Sequence, residues 1–371
     1  MKRIVVLYQD TGGGHRSTAE AVIQGLNIAF PERYHISSLN FTPYLPWPAS
    51  RGEQSYPAVV DRARFVHAAL FHVLNGKRRV AMLRRWFSLV GRGKAAQLLA
   101  DHPADAYVSC HPLCSQFMPP AIHRARSMAA FVHVVTDLLS GHTAHFARDI
   151  DHCCVPNPQV RRQAVANRVP PERIDVTGQP VWPDLRARMA EGGEMRAKLA
   201  LDPGVPVALL LGGGDGMGAL GPTARAILSS DLNLQLIVVC GRNEALRDDL
   251  SHAEWRLKLR VLGFVDVVPE LMGASDILIT KAGTLTLCEG FLAGLPILIY
   301  DAIPGQEAGN VDYVVSAGAG AWCPAPGAVL EQLRAWLADP AGLAAARASS
   351  GRLAQPDAAI EVAKVVARVC G

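Results

Sequence analysis

One grammar is used twice in this chain, and it narrows the fold more than any other feature. Ile4-Val5-Val6-Leu7-Tyr8 is a short apolar run of the buried-strand kind. It runs into Gln9-Asp10-Thr11-Gly12-Gly13-Gly14-His15 and then into a helical pattern from Ser17 to about Ala29. The same order returns about half a chain later. Val207-Ala208-Leu209-Leu210-Leu211 leads into Gly212-Gly213-Gly214-Asp215-Gly216-Met217-Gly218 and a helix through Thr223–Leu228. These read as the opening βα units of two similar domains. Further buried-strand candidates follow each start: 35–39, 106–110, 130–135 and 174–177 in the first half, and 234–239, 260–262, 277–280 and 296–300 in the second. Helical stretches separate them, so both sheets are expected to be mostly parallel. The Gly/Pro-rich stretch Gly178-Gln179-Pro180-Val181-Trp182-Pro183 marks the boundary between domains 1–180 and 181–371. The last segment, Ala358 to Val369, reads as a helix that can pack back on the N-terminal domain.

Half of the residues are hydrophobic and 19% are charged, enough for sizeable cores and against disorder. Eight irregularly spaced cysteines without a preceding signal-peptide pattern read as buried reduced thiols of a cytosolic protein. No run approaches the ~20 apolar residues that a spanning helix needs. Charge is uneven. Residues 1–180 hold 21 Lys and Arg against 12 Asp and Glu, and the remainder 16 against 21. The basic excess concentrates between Arg62 and Ala100, with nine cations and no acid. There Arg78, Arg79, Arg84 and Arg85 interleave with large apolar residues, Trp86 and Phe87 among them. That pattern suits a helix lying on an anionic bilayer, and equally a core helix with a solvated basic face.

The glycine loops do not make a dinucleotide site. Gly214-Asp215-Gly216-Met217-Gly218-Ala219 fits G-x-G-x-x-A, but the next strand ends in Cys240-Gly241-Arg242, with no acid to hold a ribose. Gly12-Gly13-Gly14-His15-Arg16-Ser17 lacks the third small position, and neither loop carries a Walker lysine. Asp149-Ile150-Asp151 spells the D-x-D of metal-dependent transferases with no second feature to support it. His142, His145, His152, Cys153 and Cys154 match no structural zinc spacing and read as strand-end and loop residues, as do Cys110 and Cys114.

Val261-Leu262-Gly263-Phe264-Val265 and Ser275-Asp276-Ile277-Leu278-Ile279-Thr280-Lys281-Ala282-Gly283-Thr284-Leu285-Thr286-Leu287-Cys288-Glu289 are far more specific. With Gly294-Leu295-Pro296-Ile297 and Pro304-Gly305-Gln306-Glu307-Ala308-Gly309-Asn310, they resemble the donor half of the monogalactosyldiacylglycerol synthase and diacylglycerol glucosyltransferase family. Asp10–Arg16, Val108–Leu113 and Val134–Asp137 resemble its N-terminal half, so the likeness spans about residues 4–318. One departure is plain: Gly283-Thr284-Leu285-Thr286 has one glycine fewer than the family's usual turn.

The resemblance implies a GT-B fold, α/β, with two Rossmann-like domains facing each other across a cleft. It also implies inverting transfer of a hexose from UDP-galactose or UDP-glucose to diacylglycerol. UDP-sugar is then a co-substrate, with no cofactor and no metal expected, and the enzyme is peripheral on the cytoplasmic face of the cell membrane. Donor residues implied are Gly213, Gly214, Arg242, Phe264 at the uracil, Gly283 and Thr284 at the diphosphate, Glu289 at the ribose, and Gln306 and Glu307 at the hexose. Backbone amides opening a helix suit a diphosphate. His15 is the expected base, with Asp137 to orient or assist it and Asp10 a lower-ranked candidate. Arg78, Arg79, Arg84, Arg85, Trp86 and Phe87 are expected at the membrane and acceptor. A polyprenyl-linked or soluble glycan acceptor and a non-catalytic nucleotide-sugar-binding protein stay open as alternatives. Nucleic acid is disfavoured, since the basic region carries no recognised motif.

Overall fold

The structure is a computed structural model, and it describes residues 1–10, 13–53, 69, 71–139, 141–214, 216 and 218–371. Thr11, Gly12, Asp215 and Met217 of the two glycine loops, and Arg62 and Arg64 of the basic segment, lie outside the described residues.

The chain divides into two compact units. The first comprises Met1–Pro183, Pro304–Gln306 and Pro356–Gly371; the second comprises Asp184–Ile303 and Glu307–Gln355. Each holds a six-stranded sheet, and every strand pair in both is parallel. In the first unit the strands are β1 (Lys2–Tyr8), β2 (Tyr34–Asn40), β3 (Ala106–Ser109), β4 (Ala130–Val134), β5 (His152–Val155) and β6 (Ile174–Val176), in the order β2-β1-β3-β4-β5-β6. The second unit holds β7 (Val207–Leu211), β8 (Gln235–Val239), β9 (Leu259–Leu262), β10 (Ile277–Lys281), β11 (Ile297–Asp301) and β12 (Gly320–Trp322), in the order β12-β11-β10-β7-β8-β9. Numbered within their unit, those six follow the doubly wound order 3-2-1-4-5-6.

Parallel strands covered on both faces are largely apolar, and every residue of β7, β8 and β11 is buried, with Gln235 and Asp301 as polar members at two strand ends. β5 and β12 are strands that the sequence pattern did not disclose. Cys153 and Cys154, read as strand-end or loop residues rather than metal ligands, are fully buried in β5 and act there as small apolar side chains.

In the first unit the helix Ala358–Cys370 covers one face of the sheet. Its apolar residues recur at Ala359, Val362, Ala363, Val366 and Cys370, one stripe of a 3.6-residue period. That stripe shares a core with Val22 and Leu26 of the helix Gly14–Ala29 and with β1, β3 and β4. The helices approach at Gly25, where a Cβ would stand 2.4 Å from the Ala359 carbonyl oxygen. The other face is filled by Phe87, Leu98, Phe117 and Met118.

Because backbone rather than a pliable side chain faces Gly25, Gly25→Ala should lower stability by about 1–3 kcal/mol. Gly93, in the helix Arg92–Asp101 with nothing within 4 Å of an added Cβ, gives the control. There Gly93→Ala should stabilise by about 0.5–1 kcal/mol through helix propensity alone. Calorimetric melting of the two variants checks both signs.

Candidate active site

In an open parallel sheet, connections from two adjacent strands leave in opposite directions at one point, and the strand ends there form a crevice. In the first unit that point lies between β1 and β3, and in the second between β7 and β10. The residues expected to act follow strand ends on the same edge of each sheet: His15 follows β1, Asp137 β4, Gly213 β7, Arg242 β8, Phe264 β9, Gly283 β10, and Gln306 and Glu307 β11.

His15 stands in the first turn of Gly14–Ala29, just after β1. Its Nδ1 lies 2.8 Å from the carbonyl oxygen of Cys110, the residue after β3, and 3.4 Å from Thr136 Oγ1. A carbonyl only accepts, so Nδ1 carries the proton and Nε2 presents a lone pair. The His111 ring packs edge-on against it, centroids 4.6 Å apart. Burial pushes His15 down to about 4; the Asp137 charge acts upward, His145 downward and the Cys110 carbonyl upward. At neutral pH the ring is therefore uncharged, the state a base requires.

Asp137 does not orient His15; the Cys110 carbonyl does. Asp137 Oδ2 instead accepts from His145 Nε2 at 3.1 Å and from the His142 backbone N–H at 3.4 Å. Burial works to raise this carboxyl, but the His145 hydrogen bond and the His145 and His15 charges prevail and hold it below the usual range. Asp137 acts on His15 through its charge. Asp10 is exposed, lies 3.8 Å from Arg16, and has its backbone N–H held by Glu53.

In the second unit the strand β10 ends at Lys281 and the helix Thr284–Leu292 begins, with Gly283 as its cap in extended conformation and no side chain capping the first amides. Those amides are the available anion donors. Buried Asn310 secures the turn, donating to Ala282 O at 2.8 Å and Thr284 Oγ1 at 3.1 Å. Across the switch point, Gly213 adopts φ 72°, and a Cβ there would come within 3.6 Å of Lys281 Cε. Gly216 and Gly241 are obligatory for space: a Cβ would strike Cys240 O at 1.8 Å and Gly214 O at 2.4 Å respectively. The loop is tied by Arg242 N–H to Gly214 O and by Asn243 Nδ2 to Gly216 O, 2.9 Å each. The Arg242 guanidinium lies 4.8 Å from the centroid of Phe264, a ring 64% exposed. Glu307 Oε2 accepts from Ile303 N–H at 2.7 Å, while Gln306 belongs to the first unit's Pro304–Gln306 segment.

Glu289 lies one and a half turns into the Thr284–Leu292 helix. Burial pushes its carboxyl up to about 7, with Arg188 opposing, and no hydrogen bond from the described residues offsets the burial. Its acceptor positions are thus desolvated and available.

The basic segment folds as the helix Lys77–Val90. Phe87, expected at the membrane, is 2% exposed and packs edge-to-face on Phe117 at 5.5 Å, so it belongs to the core. Trp86 is partly buried against that core, and Arg84 pairs with Asp149. Arg79 donates to the His72 and Asn75 carbonyls. The outward stripe is instead Arg78, Met82, Arg85 and Leu89, with Met82 71% and Leu89 69% exposed. Beside the helix is a cavity of about 550 Å³ lined by Lys77, Arg78, Arg84, Arg148 and Arg168, with Asp149 its one acid. The D-x-D acids have structural partners: Arg84 for Asp149 and the Phe131 N–H, at 2.7 Å, for Asp151. No helix among the described residues is long and apolar enough to cross a membrane.

Cys110, whose carbonyl sets the His15 tautomer, was missed as a site residue because any residue type supplies a carbonyl. His133 and His145 were missed as members of a buried network, and no spacing signals such a chain. Asn310 was visible only within the family-like stretch.

Two doubly wound parallel sheets with sites at their switch points are the GT-B architecture of glycosyltransferases. The chain superposes on MurG of Acinetobacter baumannii with a TM-score of 0.65 at 18% identity, covering 99% of this chain and 100% of that one. It also superposes on the glycosyltransferase SnogD of Streptomyces nogalater with a TM-score of 0.59 at 17% identity, covering all of both. Residues 15–181 match the monogalactosyldiacylglycerol (MGDG) synthase family and residues 208–341 the glycosyltransferase family 28 C-terminal domain. Monogalactosyldiacylglycerol synthase of Spinacia oleracea is 35% identical over 97% of this chain and 71% of its own length. Monogalactosyldiacylglycerol synthase 3 of Arabidopsis thaliana is 33% identical over 98% and 80%. The chain belongs to the monogalactosyldiacylglycerol synthase family and is a glycosyltransferase.

The Glu289 shift predicts a pH-dependent stability. The folded carboxyl titrates above its unfolded value, so its contribution is intact in acid and is lost as pH rises through about 7. Glutamine mimics the protonated form. Glu289→Gln should therefore melt with wild type at pH 4 and be more stable at pH 9 by up to about 3 kcal/mol. Melting curves that stay parallel from pH 4 to 9 would show that the carboxylate is not desolvated.

Proposed function

We propose that this enzyme transfers galactose from UDP-galactose to the free hydroxyl of diacylglycerol in a single inverting displacement, giving a β-galactosyl lipid at the inner face of the cell membrane. The names of the family's characterised members support the galactose donor and the lipid acceptor. The observation that carries the chemistry is the state of His15, an uncharged imidazole whose Nδ1–H is committed to a carbonyl and whose Nε2 is a lone pair. Nε2 takes the proton of the attacking hydroxyl, that oxygen bonds to the anomeric carbon, and the bond to UDP breaks. Charge then grows on the diphosphate, where the uncapped amides of Gly283 and Thr284 and the helix dipole receive it. That array does the work a divalent ion does in other transferases, so no metal is part of this reading. Glu289 accepts from the ribose hydroxyls, Phe264 with Arg242 meets the uracil, and Gln306 and Glu307 serve the galactose hydroxyls.

The deciding assay measures galactolipid formation from UDP-galactose and diacylglycerol vesicles, with UDP-glucose as competitor donor and a chelator in parallel. His15→Ala should lower kcat by about 100-fold or more while UDP affinity by calorimetry stays within about twofold. An undiminished rate would remove His15 as base.

Membrane contact is carried by the stripe Arg78, Met82, Arg85 and Leu89 together with the cationic cavity beside it. Each basic residue near an anionic surface is worth about 1 kcal/mol, so Arg78→Gln with Arg85→Gln should weaken vesicle binding by tenfold or more. Met82→Asp with Leu89→Asp should weaken it further. Sedimentation with vesicles containing anionic lipid reads both, and unchanged binding would place the contact elsewhere.

A further inference from the structure

Behind Asp137 lies a buried file of imidazoles that the transfer chemistry above leaves unused. His145 Nε2 stands 3.1 Å from Asp137 Oδ2, and His133 Nε2 stands 2.9 Å from His145 Nδ1. His133 and His145 are 0% and 1% exposed and Asp137 9%. Proton assignment follows from the acceptors. An ionised carboxylate only accepts, so His145 Nε2 carries a proton. His145 Nδ1 is then satisfied by a proton on His133 Nε2. His133 Nδ1 has no partner among the described residues. A lone pair can be left there at modest cost, whereas a buried N–H without an acceptor is among the rarest groups in folded proteins. Burial, with His145 and His15 as neighbours, holds His133 well below the usual histidine range, in the same neutral state. All N–H donors in the file thus point one way, toward Asp137.

We propose that His145, backed by His133, is a positioning residue for the transfer reaction: it keeps the Asp137 carboxylate fixed and charged within electrostatic reach of His15, so that the imidazolium formed when His15 takes the acceptor proton is stabilised. The proposal rests on the reading of His15 as the base. Geometry supports the coupling, because Thr136, the residue before Asp137, touches His15 Nδ1. His15 meets the Cys110 carbonyl, Thr136, the His111 ring and the charges of Asp137 and His145. Asp137 meets His145, the His142 N–H and the charge of His15. His145 meets His133 and Asp137, with the His111 and His142 imidazoles within electrostatic range. No proton leaves this file in the reaction; Asp137 acts by charge alone, and the base keeps the proton that it takes until product departs.

The test compares wild type with His145→Phe, which keeps a ring but loses the donor, and His145→Gln, which restores an N–H toward Asp137. Without the donor, burial raises the Asp137 carboxyl, and loss of His145 also removes an influence that lowers His15. Both changes move the acid limb of kcat the same way. In His145→Phe that limb should rise by about one pH unit or more, so that turnover at mildly acid pH falls by about tenfold relative to wild type. The KM for UDP-galactose should stay within about twofold, since the hydrogen-bond partners of His145 are His133 and Asp137 and none of the residues assigned to the donor. His145→Gln should return the limb most of the way. A carbon-13 titration of the Asp137 carboxyl follows the same group without turnover, and it should move up in His145→Phe by a similar amount. An Asp137 signal that titrates as in wild type in a folded His145→Phe protein would overturn the proposal. If the Asp137 signal moves and the kinetic limb does not, the reading of His15 and Asp137 as the reaction's machinery fails, and the proposal with it.

Discussion

A parallel strand delivers its last residue and the first amides of the next helix to the same edge of its sheet, and everything functional in this protein follows from that. At that edge the backbone supplies unpaired N–H groups with a favourable dipole. It can also supply an unpaired carbonyl. The second unit presents uncapped amides, at Gly283 and Thr284 after β10. The first uses the carbonyl, at Cys110 after β3, to hold a single proton on His15. An anion cradle and a tautomer lock are thus made from the same construction, one by the positive end of a helix and one by the end of a strand.

The glycines are the geometric condition for this. Gly216 and Gly241 let the loops after β7 and β8 lie backbone on backbone, and Asn243 and Arg242 pin them there. Side chains at those positions would separate the loops by the width of a methyl group. Glu289 and His15 illustrate the complementary cost. Each is shifted by burial toward its uncharged form, the carboxyl upward and the imidazole downward. Desolvation of that kind destabilises a fold and is kept where a ligand or a transition state restores the missing interactions.

The parallel α/β architecture could be read from the sequence because most strands of a doubly covered sheet are short, mainly apolar runs between helical stretches, and ten of the twelve strands were legible, the mixed β2, β6 and β9 among them. The two that were not are instructive. β5 owes its place to neighbours: His152-Cys153-Cys154-Val155 is too short and mixed to read as a strand until β4 and β6 flank it. β12 is a three-residue edge, Gly320-Ala321-Trp322, held by backbone pairing to β11 and by Ala321 packing on the core, with Gly320 too close to Ile297 O for any side chain. The basic helix failed in a different way. Val80 with Phe87 and Met82 with Leu89 have the same seven-residue spacing, so periodicity is indifferent to which pair goes inside. Contact with Phe117 decides it in favour of Phe87. The His15 partner was illegible in principle, being a main-chain oxygen, and the His133–His145–Asp137 file joins side chains from β4 and the loop beyond it in a way no linear spacing encodes.

The helix Ala358–Cys370 has a consequence for how this protein comes off the ribosome. It completes the apolar covering of the first sheet, yet it is synthesised only after the whole of the second unit. The nascent N-terminal half must therefore wait, with Val22, Leu26 and their neighbours uncovered, while about 170 more residues emerge and fold beside it. During that interval the exposed face is a natural client for holdase chaperones. A chain stopped short of residue 358 would keep His15 and both glycine loops, and would still leave a permanently adhesive surface.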